Sequence, residues 1–243
     1  MPDSGGSREL REALRARGDA VRAQQDRAYL KSDMEHLGVP LPAMRALVKA
    51  YVKAHPELSH DELVTLAREL WRPPVHEFRT VGALLLEARA EVLSAADAGL
   101  VEELVRRSGT WALVDVLAAS VAGRVMVRDR ALEPSLRAWG ADEDMWVRRL
   151  GILGFLRALR TDAFAACFPV FGEVVDPVLE DRRFFVRKAI GWVLREVSKD
   201  HPDEVYEWAL GRRPRMSGVT VRELVKHYDD ERRGRLLRGG VAG

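Results

Sequence analysis

The 243-residue sequence predicts an all-α fold, an α-α superhelix of stacked helical pairs, on three observations. Apolar residues recur at spacings of three and four almost throughout, the period of an amphipathic helix. Runs of strict alternation bounded by turn residues, the mark of strands, are missing. An aromatic-Val-Arg-basic unit also repeats: MWVRRLGILGFL begins at Met145 and FFVRKAIGWVLR at Phe184, 39 residues later. Trp111 opens a comparable segment 35 residues before Trp146, and Trp71 precedes Trp111 by 40. A period of 35–40 with two helices per repeat is that of HEAT-like or armadillo solenoids.

In chain order, helices are expected over 7–17, 20–35, 41–54, 60–71, 75–90, 96–107, 110–126, 131–139, 144–160, 163–179, 183–199, 202–210 and 218–228. Breakers fall between them: Pro40, Pro42, Pro56, Pro73, Pro74, Gly109, Gly140, Pro202 and Pro214. SHDE at 59–62 sets Ser59 three residues before Glu62, the spacing of a capping box. The expected organisation is a disordered stretch over 1–7, one repeat domain over 8–228 and a basic, disordered tail over 229–243.

Composition bounds the function classes. With 47% apolar and 31% charged residues the chain is globular. Its one cysteine, Cys167, lies in the apolar run AFAACFPVF; it can form no internal disulfide and is expected to pack as a small apolar group. The six histidines lack ligand-like spacing, so no metal site and no cofactor are expected. No apolar run reaches the roughly 20 residues that span a bilayer, and MPDSGGSREL lacks a signal-peptide core, so a cytoplasmic monomer without membrane contact is expected. Net charge is only +2, but from Arg182 onward there are 15 Lys/Arg against nine Asp/Glu. Such an end can meet a polyanion or simply be a solvated face.

Two helices carry the candidate chemistry. In SGTWALVDVLAASVAGRV (108–125), Val114, Leu117, Val121 and Val125 form the core stripe. Trp111 and Asp115 sit together about 100° away, above Ala118, Ala119 and Ala122. Small residues let a ligand approach a helix; alternatively, Asp115 is an acid favoured near a helix N-terminus. In FFVRKAIGWVLREVSK (184–199), Val186, Ile190, Val193, Leu194 and Val197 form the core stripe. Trp192 falls on the opposite side, in line with Lys188, Arg195 and Lys199. An indole among cations suits a ligand with phosphates and flat rings, or it is covered by Arg and Lys stems as ordinary packing. A further basic stripe, Arg149, Leu153, Arg157 and Arg160, is expected on the helix from Asp144, and the stacked repeats would bring these residues to one groove. Trp71 and Trp146 can equally plug gaps between layers.

Four stretches in order, RELWRPPVHEF (68–78), TWALVD (110–115), MWVRR (145–149) and FFVRKAIGWVLRE (184–196), resemble the AlkD-type bacterial DNA alkylation repair glycosylases of the AlkC/AlkD superfamily. The resemblance runs from about residue 20 to about 228, and AIGWVLRE is its most specific element. It implies a HEAT-like solenoid whose concave face wraps alkylated duplex DNA and removes cationic N3- or N7-alkylated purines. It implies that Asp115 is the catalytic carboxylate, that Trp111 and Trp192 cradle the damaged nucleotide, and that Arg149 binds phosphate. Tyr29, in RAYLKS, matches a further aromatic near the DNA, and Arg157 stands where a lysine is common. Pro40, in GVPLP, departs from the pattern, which often has a polar residue facing the DNA there, and the tail lies beyond it. Two other readings stay open: a DNA-binding relative without catalysis, and a repeat scaffold holding an acidic peptide.

Overall fold

The computed structural model describes residues 4–239, and every regular element among them is a helix. The described chain falls into two compact units, one ending at Val125 and the other beginning at Met126. Both are built from the packed helices the periodicity predicts.

In the first unit, α1 (Gly5–Arg15), α2 (Ala20–Leu30), α3 (Leu41–Ala54), α4 (His60–Trp71), α5 (His76–Ala88) and α6 (Ala98–Arg106) precede a long helix that opens at Trp111. That helix is α7 (Trp111–Asp115), a π-helical segment (Val116–Ala122) and α8 (Gly123–Arg128), which runs across the boundary. α5 is the spine of the unit. Its residues from His76 to Leu86 are all buried, and α3, α4 and the π segment pack on it. Trp71 is fully buried, the gap-filling role rather than a ligand-facing one. The capping box forms as its spacing predicts: the Glu62 N–H donates to Ser59 Oγ at 3.4 Å, and the Ser59 N–H to the Glu62 carboxylate at 2.9 Å.

The helix expected over 20–35 stops at Leu30, because Lys31 turns left-handed at φ 49° and the chain then runs extended. Glu35 pairs with the strand-like entry to α5, its N–H donating to Pro74 O and its carbonyl accepting from the His76 N–H, both at 2.9 Å. The buried Glu77 carboxylate accepts the Leu37 and Gly38 N–H groups at 2.9 and 2.7 Å. Gly38 has φ +80°, and a Cβ there would lie 2.1 Å from the Asp19 carbonyl oxygen, so only glycine fits. The loop carrying Pro40 is therefore held by backbone contacts.

The second unit comprises α9 (Glu133–Ala141), α10 (Met145–Leu153), α11 (Phe164–Val175), α12 (Phe184–Val197), α13 (Pro202–Arg212), α14 (Gly218–Leu224) and α15 (Asp230–Arg238). α10 packs between α9 and α12, and α12 packs on α14. The expected stripe of α12 is fully buried from Val186 to Val197. Cys167 is buried as expected, and burial pushes its thiol pKa up. The helix expected over 144–160 ends at Leu153, where the chain turns before a 3-10 helix at Ala158–Arg160. α9 and α10 cross so closely that a Cβ on Gly151 would lie 2.3 Å from Gly140 N. Arg157 and Arg160 leave the helical stripe with that turn, which breaks the expected alignment with Arg149.

Both ends are helical where they are described. Residues 5–7 belong to α1, whose Ser4 cap accepts the Ser7 N–H at 3.3 Å while its own N–H donates to Glu69 at 3.1 Å. The tail forms α15, capped by Asp229 and seated by a fully buried Leu236, whose carbonyl accepts from the buried Arg213. One apolar anchor and one guanidinium are enough to order an otherwise charged segment. Residues 1–3 and 240–243 of the expected disordered ends lie outside the described residues.

Candidate nucleic-acid interface

The first unit brings together Trp111, Asp115 and Tyr29. Gly109, at φ +65°, turns the chain into the helix, and extended Thr110 caps it, Oγ1 accepting the Ala112 N–H at 3.4 Å. Trp111 therefore stands at the first helical position, half-buried, with Asp115 one turn on and also half-buried. The Tyr29 ring meets the indole edge-on, with centroids 6.0 Å apart at 81°. Tyr29 is 73% exposed at the end of α2. An aromatic surface and a carboxylate thus sit side by side, which suits a sugar that becomes cationic.

The helix changes character immediately after Asp115. Seven residues, Val116–Ala122, are π-helical. The i→i+5 pattern advances fewer degrees per residue, so the alanines expected below Asp115 rotate inward. Ala118 and Ala122 are buried in the core, and Ala119 is half-buried. The row of small residues is packing, not an approach path.

In the second unit Arg149 and Trp192 meet, but not as an exposed cation beside an exposed indole. Arg149 is 4% exposed, and its Nη1 donates to the Phe185 carbonyl at 2.6 Å. Its guanidinium carbon lies 6.0 Å from the ring centroids of both Phe185 and Trp192. Trp192 is half-buried. Trp146 stacks at a tilt on Phe185, 5.0 Å between centroids. Arg149 thus supports an aromatic wall.

The basic face around Trp192 is also less naked than its sequence. Lys188 and Arg195 both donate to Glu223 on α14, and Lys226 joins them at 2.9 Å. Burial alone would raise the Glu223 pKa, but hydrogen bonds from Lys188 and Lys226 outweigh it and hold the carboxyl below its ordinary value. Lys199 pairs with Glu196 at 2.6 Å and Arg160 with Asp200 at 2.8 Å. Arg157 is exposed beyond the end of α10. Glu223 was not legible as a site residue: it lies 35 positions from Lys188 and 28 from Arg195, and although the first separation equals one repeat, nothing local to α12 singles out that carboxylate.

Histidine spacing likewise hides a contact. His36 and His76 stack with centroids 4.7 Å apart and planes 12° from parallel. Burial, then the neighbouring His36 and Arg79 charges, hold the His76 pKa down at about 3. Among the described residues no group of three or more His, Cys, Asp or Glu is placed to hold a metal, and no helix is long and apolar enough to cross a membrane.

Comparison with known proteins follows the same lines. The family model described as "DNA alkylation repair enzyme" matches residues 10–228. No curated protein matches. Among solved structures, a "predicted DNA alkylation repair enzyme" from Enterococcus faecalis superposes with a TM-score of 0.77 at 22% identity, covering 88% of this chain and 98% of its own. AlkD2 from Streptococcus mutans gives 0.59 at 20%, covering 85% and 99%, and smu.31 from Streptococcus mutans UA159 gives 0.58 at 20%, covering 78% and 93%. At these identities the three structures establish the helical-repeat fold.

Proposed function

The chain belongs to the DNA alkylation repair enzyme family, and from that premise we propose that it is a monofunctional glycosylase releasing cationic N3- or N7-alkylated purines, such as 3-methyladenine and 7-methylguanine, from duplex DNA. The observation that carries this reading is the pairing of Trp111 with Asp115, one helical turn apart at the entrance to a π-helical segment, with exposed Tyr29 against the indole.

An alkylated purine already bears a positive charge, so it departs with the glycosidic electron pair and becomes neutral. No acid needs to protonate it. As the C1′–N bond lengthens, positive charge moves to the deoxyribose. The Asp115 carboxylate stabilises that charge, and the Trp111 indole adds cation–π attraction of about 0.5–2 kcal/mol. Water then forms the new C1′–O bond and gives its proton to Asp115 or to solvent. This balance requires neither metal nor cofactor, and a monomer in the cytoplasm suffices. Trp192, backed by Arg149, is a second indole available to DNA.

The test is release of 7-methylguanine or 3-methyladenine from methylated duplex DNA, with and without chelator. Asp115→Asn is expected to lower the single-turnover rate about 10²–10³-fold while leaving DNA affinity within a few-fold. Equal rates for wild type and Asp115→Asn refute the mechanism. Salt-sensitive binding without any base release refutes the activity.

A further inference from the structure

On the first unit, α3 and α5 enclose a cleft of about 460 Å³ that no feature of the glycosylase reading uses. Arg45, Lys49 and Lys53 line it from α3, four residues apart and hence on one face. Arg124, from α8, closes its end. The floor is apolar, with Val48 and Val52 from α3 facing Leu84 and Ala88 from α5.

Glu87 organises this group without neutralising it. Its carboxylate takes Arg45 at 3.0 Å and Arg124 at 4.0 Å, and its backbone carbonyl accepts from Arg124 Nη1 at 2.8 Å. The two guanidiniums are thereby fixed in place. Lys49 and Lys53 are exposed, and among the described residues neither is paired with a carboxylate. Four cations thus surround one carboxylate. Gathering like charges raises the energy of the empty cleft, and an anion relieves it. Paired guanidiniums flanked by exposed ammonium groups over an apolar floor suit a phosphate joined to a hydrophobic body. Sugar–phosphate backbone has that composition.

We propose that this cleft is a phosphate-binding site, separate from Trp111 and Asp115, that takes a phosphodiester of the DNA duplex. The DNA source rests on the function proposed above; the phosphate chemistry rests on the cleft alone. Lys49 and Lys53 are about 6 Å apart along α3. That span covers one or two phosphates of a strand, which lie about 3.4 Å apart along the duplex axis.

The experiment compares wild type with Lys49→Ala/Lys53→Ala and with Lys49→Arg/Lys53→Arg. Each is measured for binding to methylated duplex DNA over a salt series, for single-turnover base release at saturating protein, and for Tm with and without inorganic phosphate. Each lost phosphate contact lowers the log–log salt slope by about 0.9, so the alanine pair is expected to lower it by about 1.8. The arginine pair is expected to restore it, with base release at saturation unchanged. An unchanged slope, together with a phosphate-dependent rise in Tm seen in wild type and lost in the alanine pair, assigns the cleft to free phosphate and overturns the DNA source. An unchanged slope with no phosphate effect overturns the site. Wild-type protein that releases no base but shows the slope difference removes the glycosylase reading and leaves the cleft standing.

Discussion

Arg149→Leu separates two jobs for one residue. The resemblance implies a phosphate contact, whereas the structure buries the guanidinium behind Trp192. Leucine fills much of the volume but leaves the Phe185 carbonyl without the 2.6 Å donor it now has. The carbonyl is only part-buried and, inside α12, keeps its helical partner, so what is lost is one hydrogen bond from a charged donor, about 1.5–3 kcal/mol. Two cation–π contacts at 6.0 Å are near the limit of the interaction, so together they add ~0.5–1 kcal/mol. The expected loss is therefore about 2–4 kcal/mol, which for a chain of this length lowers Tm by roughly 5–15 °C. Arg149→Lys sharpens the comparison, because it keeps the charge and loses the planar fork. A supporting role predicts that both variants lose stability and alter Trp192 fluorescence, with the salt slope of DNA binding near wild type. Thermal unfolding, tryptophan emission and DNA titration over a salt series read all three quantities. An Arg149→Leu protein with wild-type Tm and a salt slope lower by about 0.9 refutes the supporting role and restores the phosphate contact.

Glu223→Gln removes the negative charge shared by Lys188, Arg195 and Lys226 and replaces one acceptor oxygen with a donor; we expect stability to fall by about 1–3 kcal/mol, discounted for solvent around the lysines, while DNA binding tightens and its salt slope steepens. The Glu223 pKa is lowered in the fold, so its contribution is full above about pH 4.5 and disappears as pH falls, and urea midpoints against pH will show this. His76 behaves differently: the unfolded chain takes up a proton near pH 6.5 and the folded one only near pH 3, so stability declines as pH drops through that window, by about 1.4 kcal/mol per unit. His76→Gln is expected to flatten urea stability between pH 6.5 and 4, leaving a smaller dependence from His36, which burial also holds low. Gly151→Ala gains about 1 kcal/mol of helix propensity but drives a Cβ to 2.3 Å from Gly140 N; a net loss above about 2 kcal/mol in denaturant unfolding is expected, and wild-type stability would contradict the α9–α10 crossing.

How much of this was legible in the sequence depends on the range of the forces involved. Local patterns carried through. The α3 and α4 boundaries, the Ser59 capping box and the buried stripe of α12 all follow from residues within a turn or two of each other. The 35–40-residue repeat likewise exposed the helical-repeat fold. Failures came where a distant partner decides the outcome. Lys31 turns left-handed because the following segment pairs beside Val75, and Leu153 ends α10 although no proline marks the spot. The basic face of α12 was overestimated because Glu223, from later in the chain, takes Lys188 and Arg195, and Glu196, on the same helix, takes Lys199. Helical spacing placed Trp111 and Asp115 correctly as i and i+4 neighbours, yet it gave no hint of Tyr29 against the indole.

The π segment explains why the reading of that helix was right for five residues and wrong for the next seven. A regular helix through Trp111–Arg128 would carry Ala118 and Ala122 round beneath Asp115. The wider turn instead sends both into the core, while Leu117 and Val121 remain fully buried. More of the segment is thus committed to packing on α5 than a regular helix would allow. Its hydrogen-bond pattern is costly and uncommon, so burial against α5 must sustain it. That burial also anchors the single α-helical turn before it, which is capped by Thr110 and would be too short to hold its shape alone. Trp111 and Asp115 therefore gain positional rigidity from buried residues that do not share their surface. In the mechanism proposed above, a carboxylate that meets a developing charge benefits most from that rigidity, because an acid already held in place need not reorganise when the charge appears.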